Sequence, residues 1–260
     1  MIQLVDSHSH LFLEEYSDDL PEVIHRAVEA GVSHIFMPNI DSTTVEPLLR
    51  VCDAYKELCY PMIGLHPTSV DTRYEEELEG VLRWLKTENR FVAIGEIGLD
   101  LYWDKTFLQE QLVAFEKQVE WALEFNLPIV IHSREAFSHI YKVLLPYKNS
   151  GLRGIFHSFT GDVDEAALMM EFPDFMIGIN GVVTFKKSTL PNVLSHVPLD
   201  RIVLETDSPY LTPVPFRGKR NESSYVHYTL LKLAEIYGKS PEETSKLTAQ
   251  NALKVFGMLK

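Results

Sequence analysis

Cysteine is almost missing from this chain: there are two in 260 residues, Cys52 and Cys59. They lie seven apart, lack CxxC spacing and have no reactive neighbour in sequence. That pattern predicts two reduced, buried thiols in a cytoplasmic protein. Positive charge is also short, with 24 Lys and Arg against 37 Asp and Glu, for a net charge of −13. Such a balance argues against broad electrostatic adhesion to nucleic acid. It leaves room for a nucleic-acid enzyme, because a bound divalent cation inverts the local charge of an acidic site. No run of about 18 apolar residues is present, so no membrane span and no membrane partner are expected. The first residues lack the basic-then-apolar layout of a secretion signal. No Gly/Ser linker, charge block, low-complexity segment or repeat divides the sequence. One domain over residues 1–260 is therefore expected, and 45% hydrophobic residues suffice for its core.

What the sequence does contain is an alternation. Short apolar runs occur at Gln3–Asp6, His34–Met37, Tyr60–Gly64, Phe91–Gly95, Ile129–His132, Gly154–His157, Phe175–Ile179 and Arg201–Glu205. Amphipathic helical patterns separate them: Leu20–Glu29, Val45–Tyr55, Glu75–Lys86, Leu108–Phe125, Arg134–Leu145, Val163–Glu171 and Thr189–His196. Further helices are expected at Tyr225–Tyr237, Pro241–Gln250 and Asn251–Phe256. Strands with little polar interruption fit a parallel sheet covered on both faces. Eight βα units in this length predict an α/β fold, a (β/α)8 TIM barrel, with a doubly wound open sheet as the alternative.

The ends of the apolar runs are polar. The first leads into Asp6-Ser7-His8-Ser9-His10, where residues i and i+2 of an extended chain aim two imidazoles to one side. The third leads to His66, the fourth to Glu96 and Asp100, the fifth to His132 and Arg134, the sixth to His157, the seventh to Asn180 and the eighth to Glu205 and Asp207. In a barrel these ends share one rim, the catalytic face of the fold. Burying so many polar groups without a partner is costly. A metal centre is the economical partner, with His8, His10, Glu96, His132, His157 and Asp207 as ligands. Nitrogen and carboxylate donors without thiolate suit Zn, Mn, Ni, Fe or Mg. Six side chains exceed the needs of one tetrahedral ion, so two divalent metal ions bridged by Glu96 are expected. Glu96 and Asp207 are the expected catalytic carboxylates, Asp207 taking a proton from water.

These stretches together resemble the TatD family of metal-dependent hydrolases, within the amidohydrolase-like TIM barrels. The resemblance rests on DSHSH at Asp6–His10, GLHP at Gly64–Pro67, GEIGLD at Gly95–Asp100, IHSR at Ile131–Arg134, FHSFTG at Phe156–Gly161, ETDSPYL at Glu205–Leu211, RGKRNE at Arg217–Glu222 and NALKVF at Asn251–Phe256. One departure is Ser223, where the family usually has proline. The resemblance implies a deoxyribonuclease that cleaves DNA phosphodiester bonds from a 3′ end. It also implies a division of ligands: His8, His10, Glu96 and Asp207 for one ion, and Glu96, His132 and His157 for the other. DNA, as single strands or 3′ ends, is then the substrate. No protein partner is required, and a monomer is expected.

Other residues receive expectations from their chemistry. Arg134, Arg217 and His66 are candidates for the substrate phosphate, since a guanidinium meets two oxygens at once. Asp100 and Glu205 are candidates to orient metal-bound histidines. Tyr102 and Trp103 lie in a loop above the rim, where aromatics stack on unpaired bases, whereas Phe107 reads as a plug against the next helix. The basic spot Gly218–Arg220 is expected to guide a nucleic-acid backbone. His25, His34, His139, His196 and His227 fall off the rim and read as structural. The rival function is hydrolysis of small amides, esters or phosphoesters on the same frame. The carbamylated lysine that bridges metals in many such enzymes has no counterpart at the fourth strand end, which supplies Glu96 instead.

Overall fold

In the structure, a computed structural model that describes residues 2–259, eight strands run parallel. They are β1 (Leu4–Asp6), β2 (Val32–Met37), β3 (Cys59–Pro61), β4 (Ile94–Asp100), β5 (Ile129–Arg134), β6 (Gly154–Phe156), β7 (Phe175–Ile179) and β8 (Ile202–Leu204). The helices are α1 (Leu20–Glu29), α2 (Val45–Ala54), α3 (Tyr74–Thr87), α4 (Leu108–Glu124), α5 (Phe137–Leu144), α6 (Val163–Met170), α7 (Leu190–Leu194), α8 (Val226–Tyr237) and α9 (Pro241–Val255). Strands β1 to β3 form one ladder and β4 to β8 another. Single bridges, Ile63 with Ile94 and Ser9 with Ser208, join the two ladders into a closed ring. This is the (β/α)8 barrel expected from the alternation.

The core explains where the site must lie. Val5, Phe36, Met62, Ala93, Val130, Ile155, Met176 and Val203, one from each strand or its edge, form an apolar layer. Ala249, Ala252, Val255 and Phe256 of the α9 segment join that layer, with Phe256 stacked on Phe36 at 3.6 Å. That end of the barrel is apolar and plugged. A strand alternates its faces with period two. His132 follows Val130 by two residues, His157 follows Ile155 by two, and Glu205 follows Val203 by two. All three therefore continue inward toward the opposite, C-terminal rim.

Helix ends are set by local chemistry. Ser240 caps α9 by accepting from Glu243 N at 3.1 Å, with Pro241 as the first helical residue. Asp162 caps α6 by accepting from Glu165 N at 2.9 Å. Helix α4 carries two buried glutamines that hold the rim. Gln118 accepts from Leu65 N at 2.7 Å, and Gln111 accepts from Asp100 N at 3.0 Å.

Among the boundaries that differ from expectation, three have a clear physical reason. Strand β4 begins at Ile94 and runs to Asp100, so Glu96 lies inside it. Glu96 ends the apolar run in sequence, yet all seven residues of β4 are buried. Arg134 is the last residue of β5, paired in register with Asp100, and not the start of a helix. Helix α9 continues through Asn251 without a break. The Asn251 amide donates to Leu199 O at 3.0 Å and Ile202 O at 2.8 Å, which ties the helix to β8.

Candidate metal centre

Glu96 stands at the middle of the rim cluster. The register between β4 and β5 shifts between Ile94 and Ile97, and a bulge of this kind re-aims a side chain beside a site. The two carboxylate oxygens of Glu96 face different neighbours. Oε2 lies 3.0 Å from His8 Nε2 and 3.7 Å from His10 Nε2. Oε1 lies 2.9 Å from His132 Nδ1, 3.4 Å from His66 Nε2 and 3.8 Å from His157 Nε2. Asp207 closes the first side, with Oδ1 at 3.6 Å from His10 Nε2 and 3.9 Å from His8 Nε2. Its other oxygen is 3.8 Å from His157 Nε2. The structure thus brings all six sequence-predicted ligands together. Three groupings have donor atoms close enough to share an ion: His8, Glu96 and His157; His8, His10 and Asp207; and His66, Glu96 and His132.

Backbone contacts fix the strand ends, and outer contacts fix the His132 and His157 rings. Asp207 sits at φ +56°, a left-handed conformation that aspartate tolerates better than most residues. Its N–H donates to His8 O at 2.9 Å, which binds the two strand ends together. Asp6 accepts from Thr206 N at 2.9 Å and from Thr206 Oγ1 at 2.7 Å across the same seam. Burial pushes the Asp6 carboxyl up to about 7. His132 donates from Nε2 to Asp100 at 2.9 Å, and His157 from Nδ1 to Glu205 at 3.0 Å. Each therefore turns its second nitrogen to the centre. Glu205 also accepts from Ser158 N at 2.7 Å. A side chain on Gly178 would run into the Glu205 carboxylate, so only glycine leaves that group its place.

The electrostatics of the cluster fit a cation. Burial opposes charge on every member, and the neighbours decide the outcome. Burial lowers the pKa of His8. Burial also opposes charge on His132, but hydrogen bonds to Asp100 and Glu96 push it up to about 9. For His157 burial is outweighed by Glu205, Glu96 and Asp207, which push it up to about 10. Glu96 lies well below the usual carboxylate range despite burial, because imidazoles surround it. Asp207 is lowered in the same way, chiefly by His157. Anionic carboxylates in a buried cage demand positive charge. The protein alone supplies it by protonating imidazoles, and a divalent ion supplies it better. The imidazole nitrogens His8 Nε2 and His10 Nε2, 3.2 Å apart, converge on one point as a ligand pair would.

The remaining candidates fall into different places. His66 is half-buried, and its Nδ1 accepts from Thr68 N at 3.2 Å. Burial lowers its pKa, so the neutral ring carries its proton on Nε2, facing Glu96 and His132. Arg134 is exposed, with its guanidinium 3.8 Å over the Tyr102 ring. Arg217 is exposed, lies 3.8 Å over Phe185 and donates to Thr212 O at 3.0 Å. Within the basic spot Gly218–Arg220, Arg220 is held by Asp19 at 2.6 Å and by Glu15 O, which leaves the exposed Lys219 as its free cation among the described residues. Asn180 accepts from Val182 N at 3.1 Å and donates to Ser158 Oγ at 2.7 Å, a wall group beside Glu205. Sequence reasoning passed over Asn39, which is buried after β2 and offers its carbonyl to Glu96 N at 3.2 Å. Its signal was there, a lone polar residue two beyond Met37 at the end of an apolar strand.

Comparison with known proteins agrees with the geometry. The family described as TatD related DNase matches residues 5–257. The uncharacterized metal-dependent hydrolase YabD of Bacillus subtilis is 39% identical, over 97% of this chain and 98% of its own. The 3′-5′ ssDNA/RNA exonuclease TatD of Pantoea ananatis is 29% identical, over 98% of this chain and 100% of its own. The crystal structure of YjjV, a TatD homolog from Escherichia coli, superposes with a TM-score of 0.91 at 26% identity, covering 98% of both chains. With a match that spans nearly every strand and every ligand-bearing rim segment, the chain belongs to the TatD related DNase family and is a metal-dependent hydrolase.

Proposed function

We propose that this chain is a nuclease that hydrolyses phosphodiester bonds of single-stranded DNA from the 3′ end, using two divalent ions. The observation that carries the reading is Glu96, one of whose oxygens lies 3.0 Å from His8 and the other 2.9 Å from His132. His8, His10, Glu96 and Asp207 would hold one ion. Glu96, His132 and His157 would hold the other. A pair so placed supplies activated water at neutral pH and positive charge against a phosphoryl oxygen.

The protein's own groups do the rest. Asp207 has the most open side chain among the four groups on its side of the cluster, 16% exposed against 6% or less for His8, His10 and Glu96. That exposure places the Asp207 carboxylate to take a proton from water at the mouth. The neutral His66 presents Nε2–H as a donor for a phosphoryl oxygen. Arg134, at the end of β5, and Arg217, in the loop after β8, present guanidinium groups to backbone phosphates. Polarity from the 3′ end and preference for a single strand rest on the relatives named 3′-5′ ssDNA/RNA exonuclease.

The test is an assay on 5′-end-labelled single-stranded DNA, comparing wild type with Asp207→Asn, with and without Mg²⁺. A ladder shortening from the 3′ end, seen only for wild type with metal, is expected. Metal-loaded wild type that leaves DNA intact but cleaves small esters or amides would replace this reading with the rival hydrolase.

A further inference from the structure

The loop after β4 presents two large aromatic rings to solvent beside the metal centre. Trp103 is 71% exposed and Tyr102 is 50% exposed. Exposed aromatics of this size forgo a large burial gain, which calls for an occupant or a reason. The neighbouring Phe107 gives the contrast: it is half-buried and packed against the core at the start of α4, where it plugs the barrel wall. Tyr102 and Trp103 do no such packing. Their rings meet edge to face at 4.9 Å, and the Arg134 guanidinium covers Tyr102 at 3.8 Å and approaches Trp103 at 5.2 Å.

The pair is not loosely hung. Asp100 Oδ1 accepts from Tyr102 N at 3.0 Å and from Trp103 N at 3.3 Å. The other oxygen of the same carboxylate receives His132 Nε2–H, and His132 Nδ1 faces Glu96. Two side chains therefore separate the aromatic loop from the centre of the metal cluster. Arg134 adds a second asymmetry. Arg134 has neither a carboxylate within 4.0 Å nor a side-chain hydrogen bond among the described residues, whereas Arg153, Arg201 and Arg217, which also lack a carboxylate, donate to backbone carbonyls. In a chain of net charge −13, an unpaired guanidinium stacked on an aromatic ring marks a place for anion and π-system together.

We infer that Tyr102, Trp103 and Arg134 form a stacking platform that holds an unpaired nucleobase of the substrate while Arg134 meets the adjoining phosphate. The inference rests on the nuclease reading and deepens it, since a base inside a duplex has no free face to offer. It assigns the choice of single strands to a loop outside the metal ligands. Stacking tolerates any base, so the platform recognises strandedness and not sequence.

The test separates base from backbone. Metal-loaded protein is titrated with a 5′-fluorescein octathymidylate carrying cleavage-resistant phosphorothioate linkages, and with the same backbone built from abasic residues. Anisotropy reads binding, and tryptophan emission reads the platform, because Trp121 is buried and Trp84 half-buried. The thymidylate is expected to bind and quench emission. Trp103→Ala is expected to weaken that binding by roughly five- to a hundredfold, and Trp103→Phe to restore most of it. The abasic strand is expected to bind weakly and equally to wild type and Trp103→Ala. Equal affinity for the two strands, or thymidylate binding unchanged in both Trp103→Ala and Tyr102→Ala, overturns the platform even where wild type degrades DNA. Neither binding nor cleavage of any DNA overturns the platform and the nuclease reading together.

Discussion

Asp100 accepts the Nε2 proton of His132 at 2.9 Å while its other oxygen holds the N–H groups of Tyr102 and Trp103. One carboxylate thus fixes which nitrogen of His132 faces Glu96 and also the course of the aromatic loop. Asp100→Ala is expected to lower metal affinity by about 10–100-fold. Competition of the purified variant against a metal chelator measures this. Wild-type affinity in the variant would show that His132 needs no partner.

Glu96 and Asp207 are expected to separate by phenotype. Glu96→Ala removes the oxygen atoms that face both sides of the cluster, so bound metal and turnover are both lost. Asp207→Asn keeps a ligating carbonyl but no proton acceptor, so part of the metal remains and turnover falls. Elemental analysis of the purified variants beside a hydrolysis assay distinguishes the two. Retained turnover in both would remove the bridging and proton-accepting assignments.

Chelation is expected to abolish hydrolysis, and added Mg²⁺ or Mn²⁺ to restore it. It is also expected to lower the thermal midpoint, since a ligand bound only by the folded state stabilises that state. Activity that survives exhaustive chelation would exclude the metal mechanism. The paired readout, activity and melting on the same samples, shows whether the ion leaves before the fold does.

A pH effect is expected away from the site. Asp19 is held below its ordinary value of 3.8, first by its hydrogen bonds to Arg220, which join the start of α1 to the loop before α8. A depressed carboxylate contributes stability above 3.8 and loses it as pH falls through its lower folded-state value. Both groups are partly exposed, so the contribution is under about 1 kcal/mol. Urea unfolding of wild type and Asp19→Asn should differ slightly at neutral pH and converge below 3.8. A difference that grows in acid would reverse the sign of this contact.

The barrel was legible because each strand carries an apolar run and each helix an apolar stripe, and both patterns are local. The rim was legible because polar residues interrupt those runs at one end. What escaped was set by neighbours. Glu96 lies within β4 because the ladder to β5 continues past it from Ile97 to Asp100, and no window of sequence reveals that pairing. Arg134 extends β5 because Asp100 pairs with it across the ladder. Asn251 reads as a helix breaker, yet its amide is spent on carbonyls some 50 residues earlier. Arg220 looked free for a phosphate until Asp19, 201 positions away, claimed it.

The seam between β1 and β8 has a consequence for assembly. His8 and His10 come from one side of it and Asp207 from the other, joined by Ser7 N to Leu204 O at 3.0 Å and His10 N to Ser208 O at 2.8 Å. A chain whose ring stands open at that joint still possesses Glu96, His132 and His157 on the continuous ladder, but has lost the other half of its cage. Closing the ring and completing the reactive centre are therefore one event. A cation held by His8, His10 and Asp207, as proposed, would clasp the two edges, and a molecule that had sprung its seam would already be disarmed.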